Sequence, residues 1–126
     1  MEIDFLERGL RQYSDYYKEA QCPFCNTPIQ MPLTIKTEFG EIIGGSCDCG
    51  AVYTCDLTGH NMGEALLDAL VYACDNDWSR FFNIDSDDYS EAVFNYDINT
   101  HRIWNIRDIR RDQGGKIIFI RIKKRN

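Results

Sequence analysis

The chain has 126 residues, of which 44% are hydrophobic and 27% are charged, and its formal net charge is −6. This composition is that of a globular protein with a modest core, and it includes no run of about 18 apolar residues that would predict a transmembrane helix or a membrane partner. The N-terminus lacks the basic and apolar regions of a secretory signal, so we expect a cytoplasmic protein.

Charge is unevenly distributed along the sequence. From residue 102 onward there are nine basic and two acidic side chains, whereas the first 101 residues carry five basic and eighteen acidic ones. The C-terminal segment is therefore net +7 and the remainder net −13. Two such parts would present opposite electric fields, so the overall charge is a poor guide to binding partners.

The first predicted element is a helix over residues 4–19. Its apolar residues recur at the three- and four-residue spacing of one helix face: Phe5, Leu6, Leu10, Tyr13 and Tyr17. The helix must end before Cys22, because Pro23 disfavours the α conformation in the residue that precedes it.

Alternating apolar and polar residues then predict three strands. The first covers residues 31–36, the second returns from a turn at 38–41 and begins at Ile42, and the third covers residues 51–57. Pro32 places the first of them at a sheet edge, because proline donates no backbone hydrogen bond.

A second helix is predicted to begin at Asn61, which would cap it together with Glu64 in a capping box. Three more strands are predicted near residues 92–96, 102–106 and 118–122. The apolar positions of the helix, Met62, Ala65, Leu66, Ala69, Leu70 and Ala73, are numerous enough that we expect a long helix lying across a sheet.

These elements predict an α+β fold: an N-terminal helix, a cysteine-rich ribbon, and a long helix packed on an antiparallel sheet. The predicted division places the N-terminal helix and ribbon in residues 1–58. Residues 59–126 would then hold the second helix, the later strands and the basic C-terminal segment.

Two closely spaced cysteine pairs give the strongest functional signal. Each pair can aim two sulfur atoms at one ion, and the 21 residues between the pairs are enough for one hairpin that brings them together. Gly50 can adopt the left-handed backbone that often follows such a turn. In a reducing compartment, clustered cysteines indicate metal binding, and four thiolates suit a structural Zn²⁺ site. The predicted ligands are Cys22, Cys25, Cys47 and Cys49.

Residues 20–57 resemble the zinc-ribbon class, whose members carry a Cys-Pro-x-Cys turn and a Cys-x-x-Cys-Gly turn. The resemblance implies a structural zinc ion between two cysteine-bearing turns. The second turn departs from the pattern, since it reads Cys-x-Cys-Gly and Ser46 stands where the first cysteine is usual. Cys55 and His60 are therefore alternative ligands to Cys47. A rubredoxin-like iron centre acting as an electron carrier is the alternative metal assignment.

No catalytic set is visible, and four cysteine ligands leave no open position on a metal, so the sequence does not predict an enzyme. His101 is expected at the surface of a turn. The chain is predicted to be a metal-binding module that recognises a macromolecule, with a protein partner favoured. Nucleic-acid binding through the basic C-terminal segment is the alternative, because cations and aromatic side chains can bind phosphates and stack on bases.

Overall fold

The computed structural model describes residues 18–37, 40–59, 61–105 and 115–123. In these ranges seven strands form one antiparallel sheet with the spatial order β1-β6-β5-β7-β4-β3-β2. The strands are β1 (Lys18–Glu19), β2 (Leu33–Thr37), β3 (Gly40–Ser46), β4 (Val52–Asp56), β5 (Tyr89–Asp97), β6 (Arg102–Asn105) and β7 (Gly115–Ile122).

The central strands send alternate side chains to two different cores. On β7, Ile117 and Phe119 join one apolar cluster, whereas Ile118 and Ile120 join the other. All four side chains are buried, which explains why this strand reads as a nearly continuous apolar run. The sheet is therefore the middle layer of the protein.

One face of the sheet is covered by helix α1 (Met62–Ala73), which packs on β4 and β7 and is followed by the short helix α2 (Trp78–Phe82). The buried face of α1 includes Ala65 and Ala69, whose small side chains let it lie close to the sheet. At the first turn, the Thr54 hydroxyl donates a 2.8 Å hydrogen bond to the Ala65 carbonyl oxygen.

The start of α1 is stabilised differently from the sequence prediction. Asn61 is the N-cap residue, but its side chain makes no capping hydrogen bond, so the predicted capping box is wrong. Instead, the Asp56 carboxylate accepts bonds from the Asn61 amide at 2.6 Å and from the Thr58 hydroxyl at 2.7 Å. Burial alone would raise the pKa of Asp56, but these hydrogen bonds outweigh it and hold the pKa below its usual value.

The other face is covered by an irregular segment, residues 20–30, which connects β1 to β2. Ala20, Cys22 and Ile29 from this segment are buried in one cluster with Tyr53 and Phe119 of the sheet. The Tyr53 and Phe119 rings lie 5.7 Å apart between centroids. The segment that carries the first cysteine pair thus forms part of the core.

The predicted α+β fold class is wrong. The ribbon strands and the later strands belong to one sheet, in which β4 pairs directly with β7, and the one long helix of the described residues has 12 residues. Lys18 and Glu19, at the end of the predicted N-terminal helix, pair with β6 as strand β1. Residues 4–17 lie outside the described residues. The sheet crosses the predicted boundary at residue 58, while the domain division itself stays a prediction.

Close approach of β3 to β4 requires glycine at position 44. A Cβ atom on Gly44 would overlap the Tyr53 carbonyl oxygen, which belongs to the backbone and cannot move aside. We expect Gly44→Ala to lower the free energy of unfolding by about 1–3 kcal/mol, the usual cost of overpacking. Urea unfolding followed by circular dichroism measures this change.

Gly63→Ala is the matched control, because a Cβ atom at Gly63 in α1 meets nothing within 4 Å. This substitution should leave stability unchanged or raise it by up to about 1 kcal/mol, since alanine is the better helix former. If both substitutions had the same effect, the close β3–β4 approach would not be the cause.

Candidate metal centre

The first cysteine pair lies on a tight turn that follows β1. The Cys22 amide donates to the Thr27 carbonyl oxygen at 2.9 Å, and the Asn26 amide donates back to the Cys22 carbonyl oxygen at 2.7 Å. Asn26 has φ of 61°, a left-handed conformation that asparagine tolerates better than most residues. An asparagine directly after the second cysteine is therefore a sequence signal for this turn, in addition to the cysteine spacing from which the turn was predicted.

The second pair lies on the turn between β3 and β4. The Cys47 amide donates to the Ala51 carbonyl oxygen at 2.8 Å, and the Gly50 amide donates to the Cys47 carbonyl oxygen at 2.9 Å. Gly50 has φ of 99°, so the left-handed backbone predicted at this position is confirmed. A positive φ follows the second cysteine in both turns, and the single residue between Cys47 and Cys49 does not prevent the turn from closing.

All four Sγ atoms converge at one point. They lie within 4.8 Å of one another, with Cys22 and Cys49 at 3.6 Å and Cys25 and Cys47 at 3.5 Å. Four sulfurs at about 2.3 Å from a tetrahedral zinc ion would be about 3.8 Å apart. The cluster therefore has the size and donor chemistry that a thiolate-bound metal ion needs, and all four cysteines are free thiols.

Backbone amides point at several of these sulfur atoms. Burial raises the pKa of the Cys22 thiol to about 12, and amide hydrogen bonds from Phe24 and Cys25 oppose that rise. Burial likewise raises the pKa of Cys47 against an amide bond from Cys49. Amides aimed at thiolates fix the position of the ligands and offset their negative charge, as the groups around metal ligands usually do.

Cys25 differs from the other three because it is solvent-exposed. Hydrogen bonds from the Thr27 hydroxyl and then from the Thr27 amide lower its pKa to about 6. Without a cation the cluster would therefore mix thiolate with protonated thiol. A divalent ion binding there would displace the remaining protons, because only the thiolate is a good metal ligand.

The alternative ligands lie elsewhere or outside the described residues. Cys55 is on β4 within the core, away from the four-cysteine group, and burial raises its pKa to about 12. His60 lies outside the described residues. The structure thus brings Cys47 rather than Cys55 to the other three cysteines, and metal binding by the four stays a prediction.

His101 does not sit free at the surface as expected. Its Nε2 lies 2.8 Å from the Ile29 carbonyl oxygen, and its Nδ1 lies 2.7 Å from the Tyr96 hydroxyl oxygen. A carbonyl oxygen only accepts, so Nε2 carries the proton and Nδ1 accepts from Tyr96. The His101 carbonyl oxygen also accepts from the Ala20 amide at 3.0 Å. One residue of the β5–β6 turn thus holds both ends of the first cysteine turn.

A second anchor lies beside it. The Tyr53 hydroxyl donates to the Gln30 carbonyl oxygen at 2.9 Å. A Cβ atom on Gly45 would overlap the Tyr53 ring, so glycine at that position leaves room for the tyrosine to reach across. Tyr53 and His101 together fix the chain where it leaves the first cysteine turn, which orients Cys22 and Cys25 toward the second turn.

Comparisons with protein-family models, curated proteins and solved structures find no match to this chain. The likeness to zinc ribbons therefore rests on the cysteine spacing and on the clustering of the four sulfurs. Among the described residues, no helix combines the length and apolar character needed to cross a membrane.

The role of His101 can be tested with His101→Asn, because asparagine tolerates its positive φ of 56° but lacks the imidazole. The substitution leaves the Ile29 carbonyl and the Tyr96 hydroxyl without this partner. We expect the free energy of unfolding to fall by about 1–3 kcal/mol, the cost of an unsatisfied buried polar group. Chemical unfolding of the metal-loaded protein measures it.

Tyr96→Phe is the comparison variant, since it removes the hydroxyl and keeps the Nε2 bond to Ile29. Its cost should be the smaller of the two. Equal stability of His101→Asn and the unchanged protein would contradict an anchoring role for this histidine.

Proposed function

We propose that Cys22, Cys25, Cys47 and Cys49 bind one zinc ion and that this ion is structural. The observation that supports the proposal is the convergence of four sulfur atoms within 4.8 Å from two separate turns. Four thiolates complete a tetrahedral shell, so the ion would have no open position for substrate or water. Its effect would be to join residues 20–30 to the β3–β4 turn.

Zinc is preferred to iron because neither cysteine turn matches the rubredoxin pattern. A rubredoxin-like centre usually has two Cys-x-x-Cys-Gly turns, whereas here Asn26 follows Cys25 in the first turn and one residue separates Cys47 from Cys49 in the second. Thiolate-rich sites bind both zinc and iron, so the metal content of the purified protein decides between the two assignments. We expect about one zinc ion per chain in elemental analysis. X-ray absorption should show only sulfur ligands at about 2.3 Å.

A strongly coloured protein containing iron would instead support the electron-carrier alternative. A nitrogen ligand in the absorption spectrum would contradict the four-cysteine assignment and would point to a histidine such as His60.

The structural role predicts that losing one ligand unfolds the region around the site. Cys25 is exposed, so Cys25→Ser removes a ligand with little loss of core packing. Zinc supplies roughly 10–16 kcal/mol to small zinc-binding peptides, as much as the whole stability of a small domain. We expect Cys25→Ser to lose the metal and the protection of residues 20–30 in hydrogen exchange, and a chelator to do the same.

Cys55→Ala is the matched control, because it removes a cysteine from the core without touching the four-sulfur group. It should retain one zinc ion despite a lower melting temperature. An unchanged melting curve after complete chelation would contradict a structural role for the metal.

We further propose that the metal-stabilised domain binds a protein partner in the cytoplasm, where thiols stay reduced. Nucleic-acid binding is the alternative, and the net charge of −6 disfavours it because an acidic protein repels phosphates. Of the four basic residues from 102 onward that the structure describes, Lys116 is only 4% exposed, whereas Arg102, Arg121 and Lys123 are exposed. Gel-shift assays with DNA and RNA at low salt should therefore show no binding, and a steep salt-dependent shift would reverse this preference.

A further inference from the structure

Among the residues that the structure describes, only part of the sheet's helix-covered face is occupied. Six spacings between seven strands span about 29 Å, whereas a helix with its side chains is about 10–12 Å wide. Helix α1 packs over β4 and β7, so β3 and the edge strand β2 extend beyond it. A strip about one helix wide is left beside α1.

The register shows which side chains face this strip. Gly44 of β3 pairs with both Thr54 and Leu33, and Ile42 pairs with Ile35. Residues opposite each other in an antiparallel pair share a face, and Thr54 faces α1 through its bond to Ala65. Leu33, Ile35 and Ile42 therefore face the helix side, where Leu33 is 67% exposed and Ile42 is buried.

A groove runs between this strip and the helices. Its cavity of about 250 Å³ is lined by Thr37 and Ile42 from the sheet, Leu67 and Val71 from α1, and Trp78 and Phe81 from α2. Leu67 is 53% exposed, so it offers apolar surface at the opening of this cavity. We call these residues, with Glu64 and Asp68 at the rim, the α1–β2 groove.

The charges of the groove all have one sign. Glu64 and Asp68 line it, and an adjoining cavity of about 290 Å³ adds Asp56. No lysine or arginine lines either cavity within the described part of the chain. Burial raises the pKa of the Asp68 carboxyl, and the nearby charge of Glu64 adds to the rise. A cation placed here would attract both carboxylates, which offsets the repulsion between Glu64 and Asp68 and the cost of burying the Asp68 charge.

We propose that the α1–β2 groove binds an amphipathic helix of a partner protein, with apolar side chains on one face and lysine or arginine beside them. The partner helix would lie on the open strip next to α1, set its apolar residues against the exposed Leu67 and Leu33, and pair its cations with Glu64 and Asp68. Helices that bind in grooves use this division between apolar anchors and charged margins. The inference rests on the proposed protein-binding role, but it does not depend on which metal the cysteines hold.

The probe is a synthetic 14-residue peptide of leucine and lysine with helical spacing, and its partner is the full-length, zinc-loaded protein. Binding is followed by the fluorescence of Trp78, which lines the groove, in a Trp104→Phe background. We expect saturable binding with a change in Trp78 emission. A peptide with glutamate in place of lysine should bind at least tenfold more weakly.

Two matched charge reversals locate the site. Glu64→Lys/Asp68→Lys should weaken binding of the lysine peptide at least tenfold. Asp87→Lys/Glu91→Lys changes the net charge equally at two exposed positions away from the groove and should change the affinity less than threefold. Leu67→Ser should also weaken binding severalfold, because it removes the apolar contact and leaves the charges in place.

Equal weakening by the two double variants would overturn the proposal, because it would show general attraction to an acidic protein. Unchanged Trp78 emission on binding would overturn it too. A dimer that Glu64→Lys/Asp68→Lys converts to monomers would identify a second copy of this chain as the occupant and overturn a separate partner. Zinc retention with a normal melting curve in each variant separates failure of the groove from failure of the metal scaffold.

Discussion

The convergence of four sulfurs joins parts of the chain that the sheet alone would leave apart. The first cysteine turn follows β1 at one edge of the sheet, and the second lies between β3 and β4 near the other edge. Ordering the ten residues 21–30 costs on the order of 10 kcal/mol in backbone entropy. Burial of Cys22 and Ile29 returns only a few kcal/mol of that. A bound zinc ion, worth about 10–16 kcal/mol in small domains, is of the size needed to make up the difference.

Hydrogen bonds from polar side chains decide where residues 20–30 lie once they are ordered. Its carbonyl oxygens at Ile29 and Gln30 accept from His101 and Tyr53, both of which reach out of the sheet. Tyr96 is 1% exposed, and its hydroxyl donates a hydrogen bond to His101. The buried hydroxyl of Tyr96 is therefore satisfied by the same histidine that anchors Ile29. Neither His101 nor Tyr53 belongs to the four-cysteine cluster. The sheet therefore orients the first cysteine turn whether or not a metal ion is bound.

Local signals in the sequence predicted local structure well. The cysteine spacing indicated the two turns, Gly50 indicated the left-handed residue in the second, and the pattern along residues 118–122 indicated strand β7. The fold class failed because strand pairing between distant segments has no local signature. The pairing of β4 with β7 joins residues about 60 positions apart, and Lys18 and Glu19 pair with β6 although they extend a helical pattern. The cap from Asp56 and the bonds of His101 are long-range in the same sense, since they depend on what the fold places beside them.

The two faces of the sheet are stabilised by different means, and this has a consequence for the exposed one. On the cysteine side, residues 20–30 cover the apolar surface of the sheet. Backbone hydrogen bonds and the contacts among the cysteine sulfurs hold them there. On the helix side a 12-residue helix covers the middle of the sheet and leaves Leu33 and Leu67 in contact with water. Each of these leucines, at 67% and 53% exposure, forgoes on the order of 1–2 kcal/mol of burial. If a metal stabilises one face by more than that amount, the other face can keep apolar side chains and like charges that do not contribute to folding. The proposed partner helix would bury these side chains and recover the apolar contact that folding leaves unused.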